Sequence, residues 1–175
     1  MLLAGICTCT AAPKYPKAPS LTFLYTVNIT AGAAYKLGAG PKGFRTITVI
    51  ANGTFAGPKL KGTVLPVGAD WALTDANHPV NGTLFPDVRQ TFLTDDGAYI
   101  QIFETGASQP DGTVFVRLTY EASSEKYYWL NAVVAIGIIR PLPPDSLTID
   151  TWQVRLAGDP LSEETWRRAD ILCRW

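Results

Sequence analysis

Apolar and polar residues alternate at every second position along much of this chain, and that period restricts its fold more than any other feature. Leu21, Phe23, Tyr25, Val27 and Ile29 alternate with Thr22, Thr26 and Asn28. A period of two sends one set of side chains to one face of an extended strand, whereas a helix repeats near 3.6. Strand-like runs recur over residues 44–50, 63–67, 70–73, 87–94, 98–105, 114–120, 129–139 and 147–156. Between them stand turn formers: a Gly/Pro turn at 38–43, a glycine-punctuated bend at 53–62 and a proline break at 141–145. Asp95-Asp96-Gly97 separates two alternating runs, and Gly supplies the positive φ that a tight hairpin needs. About eight to ten strands at spacings of roughly 8–12 residues predict an all-β sandwich or barrel.

The chain has 175 residues, which suits one β domain over 20–156, with an arm at 1–19 and a tail at 157–175. Pro160 and the acidic pair Glu163 and Glu164 match a helix start, and Trp166, Ala169 and Cys173 share one helical face. The tail therefore predicts a short C-terminal helix over about 160–172. The arm and tail are candidate homodimer contacts, with capping of the β domain as the alternative.

Charge excludes several partners. Fifteen Lys plus Arg balance fifteen Asp plus Glu, and Arg167-Arg168 is the only adjacent basic pair. Such a chain has no long-range field to draw in nucleic acid or an anionic membrane. No apolar run reaches the roughly 20 residues that span a bilayer. The N-terminus lacks the charged start of a secretory signal, so a cytoplasmic location is expected, with secretion as the alternative. The Asn-x-Thr sequons at Asn28, Asn52 and Asn81 matter only for the second. Three cysteines, Cys7, Cys9 and Cys173, with one histidine, fit neither an even disulfide framework nor a zinc site. Reduced thiols or a bridge from Cys173 to Cys7 or Cys9 both remain open. No Gly-rich phosphate loop, dinucleotide fingerprint or GxSxG elbow is present, and no cofactor or metal is expected.

Residues 53–71 read GTFAGPKLKGTVLPVGADW. This run resembles the signature of domain-of-unknown-function family 3237, and DVRQTFLTDDGAYI, YYWLNAVVAIG and LTIDTWQV follow in the family's order. The resemblance covers roughly residues 20–156. It implies a closed antiparallel β-barrel, in agreement with the strand count and with the need to remove exposed sheet edges. A barrel of about eight strands holds one small ligand at its mouth. Some fungal relatives resemble cofactor-free cyclases or isomerases, including chalcone-isomerase-like ring closure.

Several residues are candidates for such chemistry. Asp70 and Trp71 follow a strand end, where a carboxylate beside an aromatic wall has its pKa raised toward neutrality and serves as a base. A turn Asp with a core Trp explains the pair equally. Asp87 and Arg89 share one strand face; if it is the interior face, Arg89 holds an oxyanion and Asp87 orients it or acts as base. If it is the outer face, they form a solvated pair. His78 is the lone histidine, with a pKa suited to deprotonating a phenol, although an idle loop histidine is the commoner case. Trp129 and Asn131 alternate on an expected strand and read as an aromatic wall and a hydrogen-bond donor, or else as ordinary wall residues. Arg45, Glu104 and Arg117 also lie on expected strands, and Arg45 matches the family's basic position after its Gly/Pro turn. Asp95 and Asp96 are explained by their hairpin alone.

The expected function is a cofactor-independent isomerase or cyclase acting on a small aromatic or polyketide-like metabolite, by proton transfer or intramolecular conjugate addition. A non-catalytic, lipocalin-like carrier of small molecules is the alternative, and a structural module with a filled interior is the third reading.

Overall fold

The computed structural model describes residues 15–75 and 82–156. The strands are β1 (Ser20–Gly40), β2 (Gly43–Ala56), β3 (Lys61–Val64), β4 (Ala69–Thr74), β5 (Leu84–Phe85), β6 (Asp87–Thr94), β7 (Tyr99–Ser108), β8 (Val114–Ala122), β9 (Ala135–Leu142) and β10 (Ser146–Arg155). They form one antiparallel ten-stranded sheet. Leu21–Arg155 is one compact unit; the other, residues 1–20 with 156–175, lies almost wholly outside the described residues.

The pairing closes on itself. β1 bonds to β10 on one side and to β2 on the other, so eight strands in the order β1-β10-β9-β8-β7-β6-β3-β2 form a ring. β3 and β4 share the gap between β2 and β6. β3 pairs with residues 53–56 of β2 and 92–94 of β6, and β4 pairs with residues 44–49 and 88–89. β5 adds to the free edge of β4. The all-β class and the strand count agree with the sequence.

The two-residue period governs burial. On β8, Val114, Val116, Leu118, Tyr120 and Ala122 are buried, and the four residues between them are exposed. Equivalent inward rows from each strand fill the ring. An aromatic cluster occupies part of this interior. Phe55 stacks on Phe92 with centroids 4.0 Å apart, and Tyr25 meets Phe92 edge-on at 5.5 Å. Burying each such ring contributes roughly 1.5–3 kcal/mol. The Tyr25 and Tyr120 hydroxyls satisfy one another at 2.9 Å, as buried phenols require.

Two local expectations change. The bend expected over 53–62 narrows to 57–60, because β2 runs through Gly53 to Ala56 before the chain turns into β3. A Cβ there would come within 2.6 Å of the Asn28 carbonyl, so the glycine serves close strand approach rather than a turn. The strand expected over 129–139 is instead a 3-10 turn, Tyr128–Ala132, followed by β9. Tyr127 and Leu130, three apart, are buried there, and i→i+3 backbone bonds run from Tyr127 to Ser124, from Leu130 to Tyr127 and from Val133 to Leu130. That turn is the one helical element among the described residues; the helix expected over 160–172 lies outside them, as do the three cysteines. The hairpin at Asp95-Asp96-Gly97 forms as expected, with Gly97 at φ +87°. No helix among the described residues is long and apolar enough to cross a membrane.

Candidate functional site

The inward faces of β1, β2, β4, β6, β8, β9 and β10 enclose a cavity of about 200 Å³. Its wall is aliphatic: Ile29, Ile50, Val88, Val114, Ile139 and Ile149 are buried around it, and Leu84, Pro86, Pro141 and Leu147 complete it. Pro141 is exposed, so the cavity reaches the surface beside it. The volume exceeds the roughly 150 Å³ that admits benzene in an apolar protein interior. Among the described residues one side chain in the wall is ionisable, Asp70, and Thr48 sits across from it on β2.

The local sequence explains how Asp70 comes to line this cavity. Gly68 precedes β4 where the chain crosses close to β6; a Cβ on it would lie 2.2 Å from the Arg89 carbonyl. Ala69 is small and buried, Asp70 turns inward, and Trp71 turns outward. The Gly-Ala-Asp-Trp order thus combines a close approach, a carboxylate in the cavity and an outer cover.

Burial lifts the Asp70 pKa from its usual 3.8 to about 6, the Asp87 carboxylate adds a smaller upward push, and the Asp87 amide and Arg45 oppose them. Asp70 Oδ1 accepts the Asp87 N–H at 3.0 Å. A carboxylate with this proton affinity, in an apolar wall, exchanges protons readily near neutral pH. Glu104 also points into the ring and is 1% exposed. Gln90 Nε2 donates to its Oε1, while Glu104 Oε2 and Gln90 Oε1 have no hydrogen-bond partner among the described residues. Glu104 lies behind the cavity wall rather than in it.

The other candidates stand elsewhere. The condition set for Asp87 and Arg89 is not met: both lie on the outer face of β6, more than two-fifths exposed, with 3.9 Å between Arg89 Nε and Asp87 Oδ1. The inward face of β6 carries Val88, Gln90, Phe92 and Thr94. Arg89 lies over the Trp71 ring at 5.5 Å, so Trp71 packs outside the ring and does not wall the cavity. Arg45 Nη1 donates to the Trp71 carbonyl. Arg117 is exposed on the outer face of β8. Trp129 sits in the 3-10 turn under Lys59 at 5.5 Å. Asn131 is exposed in the same turn; its amide donates to the Ala122 carbonyl at 2.8 Å and accepts the Ala122 N–H at 2.9 Å. It acts as a strand edge for β8 and lies outside the cavity wall. His78 lies outside the described residues. The expected aromatic lining is also replaced: Tyr25, Phe55, Phe92 and Tyr120 pack into the core beside the cavity, whose own wall is aliphatic. Among the described residues no cluster of three or more His, Cys, Asp or Glu is placed to hold a metal.

A closed antiparallel ring of eight strands around an apolar cavity with a carboxylate in its wall defines a protein of the all-β class. The chain belongs to the family described as protein of unknown function DUF3237, whose model matches residues 19–154. It is 32% identical over 148 residues to the hydroalkoxylation enzyme phnH of Penicillium herquei, covering 83% of this chain and 90% of that one. Among solved structures it is similar to an enzyme from Penicillium herquei, with 32% identity, TM-score 0.65, and 82% of this chain and 100% of that one covered. A β-barrel-like protein from Acinetobacter baumannii matches at TM-score 0.73 and 28% identity, over 82% of this chain and 100% of that one.

Proposed function

We propose that this protein is a cofactor-independent cyclase that closes an oxygen ring in a small aromatic or polyketide-like compound. In this reading a substrate hydroxyl adds across a carbon–carbon double bond of the same molecule. The O–H bond breaks, a C–O bond forms, and the π electron pair takes up a proton at the other carbon. No atom enters or leaves, so the step is formally an isomerisation.

The observation that carries the reading is Asp70, a carboxylate with a pKa near 6 in an otherwise aliphatic cavity wall. Ionised, it accepts the hydroxyl proton; protonated, it returns that proton to carbon. The cavity holds one substrate conformer with its oxygen and alkene in contact, which removes the entropic cost of bringing them together. The relative's name, hydroalkoxylation enzyme, describes O–H addition to an alkene and supports the same class of step here.

The test uses two probes, ortho-allylphenol for addition to a simple alkene and ortho-hydroxychalcone for conjugate addition. The expected result is ring closure of at least one by the wild-type protein, lost by about 10²–10⁴-fold in Asp70→Asn with binding retained. Binding of both probes without turnover of either points to a carrier and overturns the enzymatic reading.

A further inference from the structure

We propose that Glu104 is a positioning residue that sets the alkaline limit of proton transfer at Asp70 from behind the cavity wall, as the deeper member of a pair of carboxyl groups. The inference rests on the reading of Asp70 as the proton-transfer group.

Its basis is a single row of paired residues that crosses seven strands: Thr48, Asp70, Val88, Glu104, Leu118, Ala135 and Gln153. Val88 pairs with Asp70 on one side and with Glu104 on the other. Two inter-strand spacings, about 10 Å, therefore separate the two carboxyl-bearing positions across one β-strand. Glu104 is buried, one carboxyl oxygen is held by Gln90, and the other has no partner among the described residues. The groups that act on it are Gln90 of β6 and Asp70 of β4, and it in turn acts on the phenols of Tyr25 from β1 and Tyr120 from β8. None of these is basic. On the Asp70 side, Arg45 is the cation that acts, and its guanidinium is bonded to the Trp71 carbonyl.

Two carboxyl groups in one low-dielectric interior, with no cation among the described residues acting on the deeper one, do not both ionise without a large cost. The proton stays on the deeper group. Burial pushes Glu104 up to about 8, with the charge of Asp70 adding to the effect, while Asp70 stands at about 6. Between these values Asp70 is an available base and Glu104 is neutral. Above them both are charged, and a negative oxygen developing on the substrate meets two carboxylates instead of one. Glu104 thus closes the alkaline side of the working range without touching the substrate.

The experiment is a carboxyl-¹³C NMR titration of the full chain as wild type, Asp70→Asn and Glu104→Gln, followed by the pH profile of closure of whichever of the two probes the wild type turns over. Glu104 is expected to keep its proton to a higher pH than Asp70, and Asp70→Asn to lower the Glu104 midpoint. Wild-type kcat/KM is expected to fall about tenfold per pH unit above the Glu104 midpoint. Glu104→Gln, which copies the neutral acid, is expected to keep the neutral-pH rate within about threefold and to lose the alkaline fall. The proposal is overturned if Glu104 titrates in the ordinary range near 4.3, or if Asp70→Asn leaves its midpoint unmoved. An unchanged alkaline fall in Glu104→Gln also overturns it. So does a loss beyond about 100-fold at neutral pH in a folded Glu104→Gln, which would make Glu104 a proton donor in its own right. If the wild type closes neither probe, the proposed function fails while the titration still decides the coupling. If Glu104→Gln does not fold, the wild-type and Asp70→Asn titrations decide it.

Discussion

Asp70 and Asp87 are joined through the backbone of one and the side chain of the other: Asp70 Oδ1 accepts the Asp87 N–H at 3.0 Å, while the Asp87 carboxylate faces outward. One oxygen of Asp70 is thereby committed to holding β4 against the start of β6, and the geometry of the cavity carboxylate depends on that strand pairing. Asp70→Asn keeps an acceptor for this bond and removes the ionisable group. Turnover of ortho-allylphenol is expected to fall by about 10²–10⁴-fold, measured as kcat at saturating substrate, with the fold unchanged by circular dichroism.

The same group predicts a pH dependence of stability. The folded pKa of Asp70 is raised, so the folded state favours its protonated form. Its contribution is fully present below the unfolded value of 3.8 and is lost as pH rises through about 6. A shift of about two units corresponds to a stability difference on the order of 3 kcal/mol. Urea denaturation is expected to find Asp70→Asn about as stable as wild type near pH 4 and more stable than wild type at pH 8.

Phe92 is fully buried, stacked on Phe55 and edge-on to Tyr25. Phe92→Ala removes the ring from the centre of that cluster and leaves a void the rigid strands do not close. A loss of about 3–5 kcal/mol by chemical denaturation is expected.

Gly68→Ala places a Cβ 2.2 Å from the Arg89 carbonyl. Backbone lies on both sides of that contact, so β4 has to move away from β6 and carry Asp70 with it. Both the melting temperature and probe turnover are expected to drop. Substituting Gly97, whose Cβ would meet open space at φ +87°, is expected to cost only about 1 kcal/mol of turn strain and to leave turnover alone.

Asn131→Ala removes both bonds to Ala122 while lying outside the cavity. About 1–2 kcal/mol of stability is expected to be lost, in keeping with two hydrogen bonds near the surface. The pH profile of ring closure is expected to be unchanged, which distinguishes this turn clamp from an oxyanion donor.

The sequence by itself determined the all-β class, most strand positions and the hairpin at Gly97, because the two-residue period and the turn chemistry of Asp-Gly are local. It marked residues 53–71 as special and named Asp70 and Glu104 among the candidates. What periodicity leaves undetermined is which of two alternating faces is the interior. Tertiary closure decided that: the β6 face with Val88, Gln90 and Phe92 turned inward because it carries the apolar side chains that meet Tyr25 and Phe55, which left Asp87 and Arg89 outside. Closure likewise turned Trp71 and Arg117 outward, and spacing-three packing of Tyr127 and Leu130 made a turn of the Trp129 segment. The juxtaposition of Asp70 with Glu104 depends on β4 and β7 both pairing with β6, a relation between residues 34 positions apart that arises only when the strands come together.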